Sequence, residues 1–172
     1  MAAAVLVGFS ISACGGEDST GPSPASLSDL FGNQLVKADG STVGVAGLNN
    51  VPLIGIYFAN PGCPACAGFT PTLVEAYDQL KAEGKPFEIV LVTGGISDAM
   101  LSSYMVDSEM GWLAISPQSG KINSIVQRYN VRWVPTLIVI DDDLGTVTST
   151  GREEITQAGA AIYDVWLSAG GS

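Results

Sequence analysis

The clearest hydrophobic pattern in the chain is a continuous apolar run followed directly by an amphipathic segment. Residues 51–59 are almost all apolar, which is typical of a short strand buried on both faces. In the next segment apolar positions repeat at close to helical spacing, with charged residues between them: Phe69, Leu73, Tyr77 and Leu80. The pattern therefore predicts a buried strand that leads into a helix.

Elements on both sides of this pair extend the prediction to a sheet with helices. A second apolar run over residues 87–93 follows Gly84, which ends the helix, and the order strand, helix, strand predicts parallel strands. Upstream, Asp39 and Gly40 separate two short apolar runs and predict a hairpin on the edge of the sheet. Downstream, Ser97 is a suitable N-cap for another helix.

The C-terminal part of the chain predicts two further strands and two further helices. A short helix follows Gly120, Pro135 introduces a strand over residues 137–140, and a turn over 141–145 leads into a strand over 146–149. One last helix is expected to present its apolar residues on a single face: Ile155, Ala158, Ile162, Val165 and Trp166. The fold class is therefore α/β.

Two cysteines lie where the first strand passes into its helix. In the sequence Cys63-Pro64-Ala65-Cys66 the unpaired N–H groups and the dipole of the helix N-terminus favour an anion. Cys63 is therefore expected to ionise more readily than a free thiol, and Cys66, one turn later, to be its resolving partner. This layout predicts a redox-active dithiol.

Two other interpretations of the cysteine pair fit the sequence less well. Zinc requires four ligands, but the chain has no histidine and only one further cysteine, Cys14, far upstream. A purely structural disulfide between Cys63 and Cys66 closes a very short loop, for which the entropic stabilisation is smallest. We therefore expect neither a metal nor another cofactor at this site.

Composition limits the size of the fold and the class of partner. The 172 residues are 47% apolar and suit one globular domain. The formal charge is −10 and only seven residues are Lys or Arg. Because phosphate neutralisation requires clustered basic side chains, we expect no nucleic-acid partner.

The N-terminal residues predict an export signal. Residues 1–13 carry no charged side chain and are too few to span a bilayer. The sequence Ile11-Ser12-Ala13-Cys14 resembles the bacterial lipobox, in which the cysteine is lipidated and becomes the new N-terminus. Secretory signals normally begin with basic residues, which are missing here, so the true start is expected upstream of Met1. The alternative is an ordinary apolar N-terminus with an isolated cysteine.

The lipobox divides the chain into three segments. Residues 1–13 are the expected lipoprotein signal peptide, and Cys14 is the expected lipidation site. Residues 14–30, which are rich in Ser and Pro, are expected to form a disordered tether to a membrane. Residues 31–172 are the expected folded domain.

The order of elements and several separate motifs resemble the thioredoxin superfamily, and within it the tryparedoxin and nucleoredoxin branch. The resemblance covers residues 34–151 and is carried by residues 56–58, 63–66, 68–71, 87–90, 112–114 and 134–137. It implies a thioredoxin-like fold with a central mixed β-sheet flanked by helices. It also implies that Cys63 is the nucleophile, Cys66 the resolving cysteine and Pro135 a cis-proline.

The chain departs from the family pattern at two positions. Gly62 stands where the family usually has a tryptophan, which is expected to open the site. Tyr57 stands where thioredoxins keep a buried aspartate, so no carboxylate is expected there to take the proton of Cys66.

The residues next to the two cysteines and to the cis-proline are the expected substrate contacts. Pro64 stiffens the turn between the cysteines, and Gly62 precedes it. Val134 and Pro135 are expected to face an extended substrate backbone. Trp133 either lines the substrate groove or covers the edge of the sheet.

The sequence predicts a thiol-disulfide oxidoreductase that is lipid-anchored in the cell envelope and faces the periplasm or the exterior. Its expected partners are disulfide-containing proteins and an upstream thiol electron donor, and reduction is the expected direction. One alternative is a thioredoxin dedicated to cytochrome c maturation. Another is a non-catalytic binding module that keeps the fold and a closed disulfide.

Overall fold

The computed structural model describes residues 26–170. In this part of the chain seven strands form one central sheet, and six α-helices pack around it. Cys14 and the predicted signal peptide lie outside these residues. The strands are β1 Gln34–Val36, β2 Thr42–Gly44, β3 Leu53–Phe58, β4 Phe87–Val92, β5 Leu113–Ala114, β6 Thr136–Asp141 and β7 Thr146–Thr148. The helices are α1 Leu27–Phe31, α2 Pro64–Ala82, α3 Asp98–Asp107, α4 Ile122–Arg128, α5 Gly151–Ala158 and α6 Tyr163–Gly170, and two short 3-10 helices follow β2 and α5.

The sheet is mixed, with the order β2-β1-β5-β4-β3-β6-β7. β3 runs parallel to β4 and antiparallel to β6. These two strands are parallel because α2 connects them as a crossover helix. It returns the chain from the end of β3 to the edge of the sheet where β3 began, and β4 starts there. The predicted hairpin is confirmed as β1 and β2, which pair antiparallel at one edge of the sheet.

Helices cover both faces of the sheet, so all six residues of β3 are buried. Leu53 and Tyr57 pack into one core, with α2, α3, α5 and α6. Ile54, Ile56 and Phe58 pack into the second core, with α1, α4 and the first 3-10 helix. The two cores confirm the predicted α/β fold with a central mixed sheet flanked by helices.

The structure corrects the predicted boundary between tether and domain. Ser26 caps α1 through its side chain, which accepts a hydrogen bond from the backbone N–H of Asp29. Leu30 and Phe31 are buried in the second core. Burial of these two apolar side chains is more favourable in free energy than their exposure to water in a tether. Residues 27–30 therefore belong to the folded domain.

The structure also corrects the single C-terminal helix predicted after β7. The chain forms α5, a 3-10 turn over Gly159–Ile162 and then α6. Gly159 has φ +55°, a left-handed conformation that ends a helix and that glycine adopts readily. Within residues 26–170 no helix has both the length and the apolar composition needed to cross a bilayer.

Candidate redox site

The site is built where β3 ends and α2 begins. Pro64 occupies the first turn of α2, where its missing N–H costs no hydrogen bond, and Cys63 is the N-cap. Gly62 precedes it with φ +78°. Asn60 ties this turn to the sheet, because its carbonyl accepts the N–H of Cys63 at 3.3 Å and its Oδ1 accepts the hydroxyl of buried Thr93 at 2.8 Å.

Cys63 presents a half-exposed sulfur to the helix N-terminus. Its Sγ accepts the backbone N–H of Cys66 at 3.2 Å. The pKa of Cys63 is lowered, first by a hydrogen bond from the Cys66 side chain, then by the N–H groups of Cys66 and Ala65 and by the positive charge of Arg152. Hydrogen bonds to the thiolate stabilise it relative to the thiol, so Cys63 is the cysteine that ionises.

Cys66 has the opposite character. Its side chain is fully buried, and burial together with the hydrogen bond to Cys63 raises its pKa to about 11. At neutral pH this thiol therefore keeps its proton while Cys63 loses its own more readily. The chain combines a half-exposed sulfur of lowered pKa with a buried sulfur of raised pKa one helical turn away.

Behind Cys66 lies a pair of buried hydroxyl groups that the sequence did not predict. Thr70 donates to the carbonyl of Cys66 at 2.8 Å, and the hydroxyls of Thr70 and Tyr57 are 2.8 Å apart. Because the Thr70 hydrogen is already donated, Tyr57 donates to Thr70. Burial raises the pKa of Tyr57, so its phenol stays neutral beside the thiol. Tyr57 is thus a core residue, as expected, that also supports α2 beneath the site.

The loop before β6 completes the site. The peptide bond between Val134 and Pro135 is cis, as the resemblance implies. The carbonyl oxygen of Val134 lies 4.0 Å from Cys63 Sγ, so this loop is in contact with the sulfur of Cys63. The structure therefore brings Val134 and Pro135 to Cys63, although they lie about 70 residues further along the chain.

Trp133 lies in a groove beside Pro135. Its side chain is 71% exposed and lines a cavity of about 340 Å³ together with Pro135, Thr136 and Arg152. Trp133 thus lies in this groove, and a role in substrate binding stays a prediction. The space next to Gly62 is open, since within residues 26–170 no other segment places a heavy atom within 4 Å of where a Cβ would lie.

Arg152, in the first turn of α5, is a site residue whose position the sequence did not predict. Its guanidinium carbon lies 5.9 Å from the ring centroid of Phe69, which is on α2 just after Cys66. Its charge contributes to a lower pKa at Cys63 and opposes the rise at Cys66. The only sequence signal is the pair Gly151-Arg152 after the last strand. Gly151 allows close packing, because a Cβ there would lie 3.0 Å from the carbonyl oxygen of Leu137.

No group of three Cys, Asp or Glu side chains in the part of the chain that the structure describes is arranged to hold a metal ion. The site consists instead of two thiols, backbone N–H groups and one guanidinium. Such a set suits thiol-disulfide exchange, in which a thiolate attacks a disulfide and a second thiol resolves the product.

Comparisons with known proteins agree with this chemistry. The profile of the Thioredoxin-like family matches residues 50–147. Bovine nucleoredoxin is 32% identical over 136 residues, which cover 78% of this chain and 30% of that protein. Nucleoredoxin from Danio rerio is 33% identical over 136 residues and is covered to 31%. The chain thus spans about a third of the length of these nucleoredoxins.

The matches to two similar solved structures cover most of the length of those proteins. Tryparedoxin I from Crithidia fasciculata is 34% identical with a TM-score of 0.64, and the match covers 74% of this chain and 87% of that one. Thioredoxin related protein 16 from Carcinoscorpius rotundicauda is 32% identical with a TM-score of 0.70, over 80% of this chain and 97% of that one. The chain therefore belongs to the thioredoxin-like family of thiol-disulfide oxidoreductases, in the branch that includes the nucleoredoxins and the tryparedoxins.

Proposed function

We propose that this protein reduces disulfide bonds in other proteins, with Cys63 as nucleophile and Cys66 as resolving thiol. The observation that carries the proposal is the contrast between the two sulfurs. Cys63 is half-exposed with a lowered pKa, and Cys66 is buried with a raised one. A protein disulfide reaches only the exposed sulfur, and that sulfur is the one that ionises.

The reaction proceeds in two exchange steps. The Cys63 thiolate attacks one sulfur of the substrate disulfide, so a mixed disulfide forms and the other substrate sulfur leaves as a thiolate that takes up a proton. Cys66 then loses its proton and attacks Cys63 Sγ, which releases the second substrate thiolate and forms the Cys63–Cys66 disulfide. The substrate gains two electrons and two protons, and an upstream thiol donor returns the protein to its dithiol form.

The loop around Pro135 positions the substrate for the first step. A substrate sulfur bonded to Cys63 lies next to the carbonyl of Val134, which is 4.0 Å from Cys63 Sγ. Trp133 adds an exposed aromatic surface on the same side. Open space beside Gly62 leaves room for a folded partner next to Cys63.

Insulin reduction by dithiothreitol tests the proposed reaction. The wild-type chain is expected to accelerate the reduction, and Cys63→Ser to return it to the uncatalysed rate. Cys66→Ser is expected to accumulate a mixed disulfide with the substrate, because the resolving thiol is missing. Cys14→Ser is the matched control, since it also removes a thiol but is expected to keep full activity. A wild-type rate equal to that of Cys63→Ser would instead favour a non-catalytic binding module.

We further propose that lipidation at Cys14 anchors the protein in the cell envelope of a bacterium, facing the periplasm or the exterior. The support is the sequence Ile11-Ser12-Ala13-Cys14 and the Ser- and Pro-rich segment after it. In cells grown with radioactive palmitate, the wild-type chain is expected to be labelled and Cys14→Ala to be unlabelled and released from membranes. Labelling of Cys14→Ala would remove the anchor without affecting the proposed reaction.

A further inference from the structure

The few arginines of this acidic chain gather around one groove. The chain has 17 acidic and seven basic residues, and its three arginines are Arg128, Arg132 and Arg152. Arg132 and Arg152 line the cavity of about 340 Å³ that also contains Trp133 and Pro135. Arg128 packs over the ring of Tyr129, another lining residue, with its guanidinium carbon 5.5 Å from the ring centroid. We call this cavity the arginine groove.

The arginine groove adjoins the loop that faces the reacting sulfur. Pro135 is part of its wall, and the neighbouring carbonyl of Val134 is 4.0 Å from Cys63 Sγ. Arg152 also lines the groove, and its charge favours the thiolate form of both cysteines. A substrate segment that extends from the disulfide under attack past Pro135 therefore comes near the groove residues Arg132 and Arg152.

The charges that face the groove leave one guanidinium without a partner. Arg152 is 3.9 Å from the carboxylate of Glu153, which also lines the groove. Arg132 is exposed and makes no ion pair with any residue in 26–170. The lining thus carries two positive charges and one negative charge, in a chain whose net charge is −10.

Exposed Trp133 indicates that the occupant is a peptide. An indole that is 71% exposed in a groove that two arginines also line is the kind of surface that binds a protein segment through aromatic and charged contacts together. At physiological ionic strength the Debye length is about 8 Å, and charges farther apart than this are largely screened. A segment bound in the groove therefore interacts much more strongly with the groove charges than with the acidic residues elsewhere on the protein.

We propose that the arginine groove selects substrates in which Asp or Glu residues flank the disulfide cysteine. This inference rests on the proposed reductase function and adds a substrate class to it. Arg132 and Arg152 act as specificity residues through charge-assisted hydrogen bonds to the flanking carboxylates. The negative charge of Glu153 repels the same carboxylates, so the preference for acidic substrates is expected to be moderate.

The test compares two peptides that each contain one internal disulfide. One has two Glu residues on each side of the reactive cysteine, and its twin has Gln at the same positions. The ratio of kcat/KM for the Glu peptide over the Gln peptide measures the preference, and it is independent of how much of a variant is folded. At about 0.15 M salt the wild-type ratio is expected to be about 3 to 10, because each exposed pair contributes modestly.

Charge variants determine which side chains carry the preference. Arg132→Gln and Arg152→Gln are expected to bring the ratio down towards one, and Arg132→Lys to retain most of it. Glu153→Gln is expected to raise the ratio about twofold, since it removes the opposing charge. Lys37→Ala, at the hairpin on the far edge of the sheet, is the matched control and should leave the ratio unchanged.

The outcomes separate this inference from the proposed function. A wild-type ratio of one or less, or a ratio that Arg132→Gln leaves unchanged, overturns the assignment of the groove while the reductase function stands. If neither peptide is reduced, the proposed function itself fails. A ratio that falls in Arg132→Gln and rises in Glu153→Gln supports acidic substrates.

Discussion

The buried hydroxyl pair beneath Cys66 makes a quantitative prediction about stability. Tyr57 and Thr70 are 0% and 2% exposed, and their oxygens are 2.8 Å apart. Thr70 also donates to the carbonyl of Cys66. Removing either hydroxyl breaks the same hydrogen bond but leaves a different group behind, so the two variants are expected to differ.

Thr70→Val is expected to be the more damaging change. It leaves the Tyr57 phenol buried without its acceptor, and an unsatisfied buried polar group costs about 1–3 kcal/mol. Tyr57→Phe leaves Thr70 still bonded to the carbonyl of Cys66, so it is expected to cost only about 0.5–1.5 kcal/mol. For a chain of this length, about 1 kcal/mol corresponds to a shift of about 2–4 °C in Tm.

Urea and thermal unfolding of the reduced protein measure these differences. In the double variant no hydroxyl is left unpaired, so its loss is expected to be smaller than the sum of the two single losses by about 1 kcal/mol. The conservative control Thr70→Ser keeps the hydroxyl and is expected to keep the bond. Equal losses in the two single variants, or strict additivity in the double variant, would refute the assignment of donor and acceptor.

Two further predictions concern packing and pH. Gly55→Ala places a Cβ 3.1 Å from Phe87 and 3.2 Å from Leu137 in the core, and is expected to destabilise by about 1–3 kcal/mol, whereas Gly68→Ala, in α2 with open space around it, is expected to stabilise by about 0.5–1 kcal/mol. Chemical denaturation measures both, and the reverse order would contradict the packing. Burial raises the pKa of Tyr104 to about 12, above the value of about 10 for an exposed tyrosine, so the unfolded chain releases that proton first. The free energy of unfolding should therefore fall as pH rises above about 10, and a constant value up to pH about 11 would contradict the burial of Tyr104.

The elements that were predicted correctly are those whose signal is local. The apolar run of β3, the helical spacing in α2 and the cap at Ser97 each need only a few neighbouring residues to be recognised. The pair Asp39-Gly40 likewise predicts its own hairpin. These segments are correct because their side-chain pattern and their backbone conformation favour the same structure.

The elements that were missed depend on contacts between distant parts of the chain. β5 has only two residues, and its strand character comes from pairing with β4 on one side and β1 on the other. α1 has only five residues and is held by burial of Leu30 and Phe31. A pattern of so few residues carries no periodicity from which a strand or helix is predicted.

The site residues also fall into two groups, those with a local sequence signal and those that depend on contacts between distant parts of the chain. The positions of Cys63 and Cys66 follow from a strand, a helix N-terminus and a spacing of three residues, all of which are visible in the sequence. The position of Arg152 near these sulfurs depends on how α5 packs against α2, and Arg132 shares a groove with it only because the loop before β6 lies next to α5. Only the folded chain brings those charges together.

The most direct test of the account is the pH at which Cys63 ionises. In the reduced wild-type chain, the rate of alkylation by iodoacetamide is followed against pH, and fragment ions separate modification of Cys63 from that of Cys66. The account predicts a midpoint for Cys63 below the pKa of about 8.5 of a free cysteine, with Cys66 almost unmodified over the same range. A midpoint at or above the value of a free cysteine, or equal reactivity of the two thiols, would contradict it.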